Sequence, residues 1–223
     1  MHGVVVSREN AARHYSAPIG LSACFNIIAD NAAPADEWHE GNHVGADLFP
    51  LWNDLQARGH EIMPHGLHHE DYPLLPLEEA KASILRCLEI FTARLDGFDA
   101  RRAVFNFPYN HSTPELEDWL PTVVRAFRTS GDGINPLPYP GQAKLTSTGN
   151  GPTNSEAHLD SQIARLLAQP SGWLVYFLHG LDEEGWGPIR ATYLEQLLAH
   201  LVTIPSVRLL PAGKALEMAD ELI

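Results

Sequence analysis

The sequence predicts an α/β fold, and three observations carry that expectation. Short apolar runs alternate along the chain with stretches whose apolar residues recur at helical spacing. The clearest run, Trp173 to Leu178, is continuously apolar, as a strand buried on both faces of a parallel sheet requires. Chemically distinctive side chains then stand where the runs end: Glu9, His65 and His69, Tyr109, and His179. Parallel α/β folds build their ligand sites at the carboxyl ends of strands. One barrel-like α/β domain over residues 1–223 is the expected architecture.

Taken in order, Val4-Val5-Val6 is a β-branched run and reads as a strand, with Ser7-Arg8-Glu9-Asn10 at its end. Gly20 to Ile28 reads as a second strand, followed by an Ala/Asp/Pro-rich loop through Gly41. Leu48, Phe49, Leu51, Trp52 and Leu55 recur at helical spacing, and Gly59 is the stop. His60 to Met63 forms the next strand. Leu77, Ile84, Leu88, Phe91 and Leu95 make the apolar stripe of a longer helix that packs and does no chemistry. Ala103 to Phe107 is a strand. Ser112-Thr113-Pro114-Glu115 has the capping-box pattern, with a proline in the first turn of a helix through Trp119. The Gly-, Pro-, Ser-, Thr- and Asn-rich segment from Thr129 to Thr153 reads as a long surface loop. Leu194, Leu197, Leu198 and Leu201 mark a last helix, and Val207 to Leu210 a closing strand.

Composition narrows the classes of function. A chain of 223 residues, 44% hydrophobic and 19% charged, is long enough to bury a core as one domain. Its formal charge of −13 opposes binding to nucleic acid or to an anionic membrane surface, and leaves neutral or cationic small molecules open. Cys24 and Cys87 lie in apolar contexts and read as buried free thiols. No apolar run reaches the length of a membrane span and the N-terminus lacks a signal-peptide pattern, so the expected location is the cytoplasm.

The densest chemistry lies in Gly59-His60-Glu61-Ile62-Met63-Pro64-His65-Gly66-Leu67-His68-His69. Four histidines in eleven residues follow a short strand, and His65 and His69 form an HxxxH pair. Imidazoles delivered to a strand end are metal-ligand material; a single histidine there would more often cap a loop or fill a polar gap.

This stretch resembles the second motif of the polysaccharide deacetylases, the NodB-homology family of carbohydrate esterases, in which both histidines of HxxxH bind a divalent metal. The resemblance implies a distorted (β/α) barrel and gives that role to His65 and His69. The Gly-Leu-Ser-Ala-Cys-Phe strand from Gly20 is similar to a family strand with threonine where Cys24 stands. Phe105-Asn106-Phe107-Pro108-Tyr109-Asn110 resembles the third motif, usually Arg-x-Pro-Tyr-Gly, which walls the substrate groove and offers a backbone N–H to the oxyanion. Pro108 and Tyr109 match it, while Asn106 and Asn110 replace the arginine and the glycine. Leu178-His179 resembles the last motif, whose histidine is the general acid for the leaving amine. At the first motif, Thr-Phe-Asp-Asp-Gly in the family, this chain has Val6-Ser7-Arg8-Glu9-Asn10.

The resemblance therefore implies a hydrolase removing N-acetyl groups from a carbohydrate-type substrate, with zinc, or cobalt or nickel, at His65, His69 and Glu9. Glu9 is also a candidate base, beside Asp71 and Asp30, and His179 is the acid. Asn106, Pro108, Tyr109 and Trp186 are expected to line the substrate, with Trp186 able to stack on a sugar ring and Trp173 in the core. Arg128 either restores the charge missing at Asn106 or is a solvent-facing arginine before a glycine loop. The expected partner is a small molecule or an oligosaccharide, and self-association into a homo-oligomer is compatible with the sequence. Two other functions fit the same residues: an amidase acting on another C–N bond, such as a cyclic amide, and a carbohydrate-binding protein that has lost turnover.

Overall fold

The computed structural model describes residues 3–4, 21–30, 48–182 and 186–221. Its strands are β1 (Gly3–Val4), β2 (Cys24–Ile27), β3 (Glu61–Pro64), β4 (Val104–Asn106), β5 (Ala126–Ser130), β6 (Ile134–Asn135), β7 (Lys144–Ser147) and β8 (Trp173–Tyr176). Its helices are α1 (Phe49–Ala57), α2 (Leu77–Arg94), α3 (Pro114–Trp119), α4 (Ser155–Leu167), α5 (Ala191–Leu201) and α6 (Ala212–Asp220). The named strands form three sheets in the orders β1-β8-β6, β2-β3 and β4-β5-β7. The architecture is mixed α/β, and no barrel closes among the described residues. The chain divides into two compact units, one of residues 1–25, 131–142 and 146–223 and the other of residues 26–130 and 143–145.

In the unit of residues 26–130, β4 and β5 run parallel with Asn106 opposite Arg128. All three residues of β4 and the first four of β5 are buried, the polar Asn106, Arg128 and Thr129 together with Val104, Phe105, Ala126 and Phe127. Tyr72, Phe105, Phe107 and Phe127 form an edge-to-face chain with ring centroids 5.3 to 6.1 Å apart. Helix α2 adds Ala80, Ile84, Cys87, Leu88 and Phe91; Ile84, Leu88 and Phe91 belong to the stripe that the sequence spacing sets out and Leu95 is buried just past the helix, whereas Leu77 of that stripe is exposed. Helix α3 starts one residue later than the capping-box pattern suggests. Thr113 is the N-cap, accepting from Leu116 N–H at 3.4 Å, while Ser112 donates to Glu117 Oε1 at 2.6 Å and lies 2.7 Å from Thr129 Oγ1.

In the other unit, β8 pairs in parallel with β1 and antiparallel with β6, and all four of its residues are buried. The segment expected to be one surface loop, Thr129 to Thr153, instead holds the end of β5 and the strands β6 and β7. Strand β6 pairs with β8 and β7 joins the sheet of β5 through the backbone, and a polar side chain adds a bridge between β6 and β7. The buried Asn135 amide accepts from Thr146 N–H at 2.8 Å and donates to Thr146 O at 2.8 Å. Gly133, at φ +80°, lets Thr148 pack where any Cβ would come within 2.5 Å of its methyl group. The expected closing strand from Val207 makes only a single bridge, at Leu209. Helices α4 and α6 are additional to the expected elements. Cys24 and Cys87 are buried free thiols as expected, and Cys24 Sγ accepts from Ala212 N–H at 3.3 Å.

Candidate active site

β3 delivers His65 to a turn. His65 N–H donates to Ile27 O at 2.9 Å, and Gly66 O and Leu67 O accept from Ala29 and Asp30, so β2 steadies the chain past the end of β3. Gly66 sits at φ +86°, and a Cβ there would lie 3.1 Å from Pro108 Cγ and 3.2 Å from Tyr72 Oη. The glycine after His65 is thus a packing requirement as well as a conformational one. Pro108 of the third-motif segment closes on it.

Beyond that glycine the chain places His69 beside His65, with ring centroids 5.0 Å apart at 69°. His65 Nδ1 lies 2.9 Å from the main-chain oxygen of Asn106. A carbonyl can only accept, so this nitrogen carries the proton, and in the neutral ring the lone pair resides on Nε2. Metal-binding imidazoles are oriented in this way, through a carbonyl on the other ring nitrogen. The exposed Tyr109 ring stands 4.6 Å from that of His69. His68 turns aside, with Nδ1 3.1 Å from Asp30 O, and Asp71 engages His111 Nδ1 at 3.0 Å.

Backbone strain concentrates at the same place. Three of the five non-glycine residues with positive φ among the described residues are His69, Tyr109 and Asn110, at 64°, 56° and 56°. Such conformations cost of order 1–3 kcal/mol each and cluster where function over-determines the backbone. An asparagine at 110 is sterically coherent, since its side chain tolerates the left-handed region.

Asn106 is buried to 1% exposure, and its amide donates to Val104 O at 3.2 Å. Arg128 is not a solvent-facing residue before a loop. It is 4% exposed, inside β5, in register with Asn106 and therefore on the same sheet face. Burial of an arginine is a tertiary fact that the glycine-rich sequence after it conceals.

The other unit carries His179 just after β8. Its ring meets Phe177 at 5.3 Å and Trp186 at 5.2 Å, both nearly perpendicular. Gly149 and Gly151 make the stack possible: a Cβ on either would fall within 2.5 to 2.8 Å of the Phe177 or the Trp186 ring. Trp186 keeps 43% of its surface exposed, while Trp173 is core. Phe177 and the two glycines were not singled out from the sequence, although glycines facing aromatic residues are the readable trace of a close approach.

Two imidazoles with one ring oriented by a carbonyl fit a divalent metal. Among the described residues no group of three or more His, Cys, Asp or Glu side chains is placed to hold one, and Glu9 lies outside the described residues. No helix among the described residues is long and apolar enough to cross a membrane.

No protein-family model matches the sequence, and no curated protein sequence matches it. Its structure resembles the catalytic domain of peptidoglycan N-acetylglucosamine deacetylase from Eubacterium rectale, with a TM-score of 0.57 at 14% identity over 96% of this chain and 88% of that one. It also resembles the Xyl-CE4 domain of a multidomain xylanase from the hindgut metagenome of Trinervitermes trinervoides, with a TM-score of 0.54 at 11% identity over 97% and 89%. At such identities the likeness is one of fold. The chain has the fold of the polysaccharide deacetylases.

Proposed function

We propose that residues 1–223 form a single catalytic domain, a distorted (β/α) barrel, that hydrolyses N-acetyl groups on a carbohydrate-type substrate with the help of a divalent metal. The observation that carries this reading is the His65–His69 pair at the end of β3, with His65 Nδ1 committed to the Asn106 carbonyl. The fold likeness supports it.

In this reading His65 Nε2 and His69 hold the ion, zinc or else cobalt or nickel, with Glu9 as the carboxylate ligand. A divalent ion so bound supplies a water of lowered pKa and polarises the acyl carbonyl. The chain's own residues do the rest. Glu9 takes the proton, and His179, its ring fixed by Phe177 and Trp186, returns one to the departing nitrogen. Pro108 and Tyr109 wall the substrate, and a backbone N–H there faces the developing oxyanion. The exposed face of Trp186 offers a sugar ring a stacking surface. Arg128, on the sheet face of Asn106, supplies the positive charge that the family places one strand away. The domain works as a soluble cytoplasmic enzyme.

The test is acetate release from N-acetylhexosamine oligomers by the zinc-loaded protein, compared with His179→Ala. Acetate release that falls about 100-fold or more in the variant is expected for loss of a general acid. Release of product only from cyclic amides would reassign the substrate, and saturable oligosaccharide binding without product would contradict hydrolysis.

A further inference from the structure

The residues between Pro64 and Tyr72 belong to no helix or strand, yet they must present two histidines to one ion. Two of them, Gly66 and His69, are left-handed. For His69 that conformation is strained, so surrounding contacts have to hold it. Glu70 makes those contacts. Its Oε2 accepts from His68 N–H at 3.0 Å, and its Oε1 accepts from Ser83 Oγ at 2.5 Å. Ser83 lies on helix α2, the longest helix among the described residues. The same Oε2 stands 3.3 Å from the point a Cβ on Gly66 would occupy, so the carboxylate fills the inside of the turn. Its charge reaches the buried groups below: after burial itself, it is the next cause of the raised pKa values of the Tyr72 hydroxyl and the Cys87 thiol.

We propose that Glu70 is the positioning residue of this turn, fastening it to α2 so that His65 and His69 are presented as a preorganised pair. The inference rests on the metal-binding reading of those two histidines. Each Glu70 oxygen accepts a hydrogen bond from within the chain, and among the described residues no group of three His, Cys, Asp or Glu side chains is placed to hold an ion, so the role assigned to Glu70 is positioning. The role so assigned depends on the two hydrogen bonds and not on the charge. Glutamine reproduces them: Oε1 accepts from His68 N–H, and Nε2 donates to a Ser83 hydroxyl that now accepts. Alanine cannot.

Two readouts on the full chain test this. In metal-free protein, exchange of the His68 amide is expected to be about 10-fold faster in Glu70→Ala, intermediate in Ser83→Ala, and close to wild type in Glu70→Gln. Zinc affinity measured by calorimetry is expected to fall about 10- to 100-fold in Glu70→Ala and to survive in Glu70→Gln. If wild type takes up no zinc, the metal reading fails, and the amide exchange still decides the role of Glu70. If wild type binds zinc while Glu70→Ala matches it in affinity and exchange, the proposal is overturned. Equal loss of affinity in Glu70→Gln and Glu70→Ala would overturn it too, by showing that charge is what counts. Should Glu70→Ala not fold, wild-type exchange in Ser83→Ala would contradict the proposal in its place.

Discussion

His65 Nδ1 and the main-chain oxygen of Asn106 lie 2.9 Å apart, joining the end of β3 to the end of β4. The partner is a peptide carbonyl, so the residue at 106 is free to change without loss of this contact. Asn106→Ala is therefore expected to keep zinc affinity within about 3-fold of wild type, far short of the 10- to 100-fold loss seen when an orienting group is removed. Calorimetric titration checks this. A loss of the larger size would mean that the Asn106 side chain, not its carbonyl, orients the site.

Asn110 holds φ at 56°, in the left-handed region that favours glycine. Asn110→Gly is expected to change unfolding free energy by no more than about 0.5 kcal/mol, and Asn110→Ala to cost about 1 kcal/mol. A β-branched Asn110→Val should cost more. Urea denaturation of the three variants reads the order directly, and an alanine variant as stable as the glycine one would remove the conformational explanation.

Acid sensitivity follows from His60. The residue is 6% exposed, and burial, with the nearby Arg58 charge as a second cause, holds its pKa below the ordinary 6.5. The folded state therefore binds this proton less well than the unfolded state does. The stability linked to His60 is complete above about pH 6.5 and is lost as the pH falls below that value. Metal-free protein should show a lower Tm at pH 5.5 than at pH 7.5, and the drop should be smaller in His60→Gln. An equal drop in both would assign the sensitivity to other groups.

The HxxxH pair and the strand before it were legible because local spacing alone puts two imidazoles at a strand end. Helix α2 was legible because its stripe is made of large residues. Helix α6 was not, since its buried face is largely alanine: Ala212, Ala215 and Ala219 surround a single Leu216. Helix α4 did leave a trace in Leu159, Ile163 and Leu166, spaced four and three apart. Strands β6 and β7 hid behind polar composition: they are two and four residues long, and Asn135 and Thr146 put polar side chains in them. The place of Arg128 in the core and the tie from Glu70 to Ser83 depend on contacts between residues far apart or on different elements. No local pattern encodes those.

The most direct test of the metal-dependent reading is the divalent metal content of the purified protein, measured after incubation with zinc, beside a His65→Ala, His69→Ala double variant. Near-stoichiometric metal in the wild type that disappears in a folded double variant is the predicted result. A wild-type protein that retains no zinc, cobalt or nickel, or a double variant that keeps its metal, would contradict the assignment of His65 and His69 as the metal-binding pair.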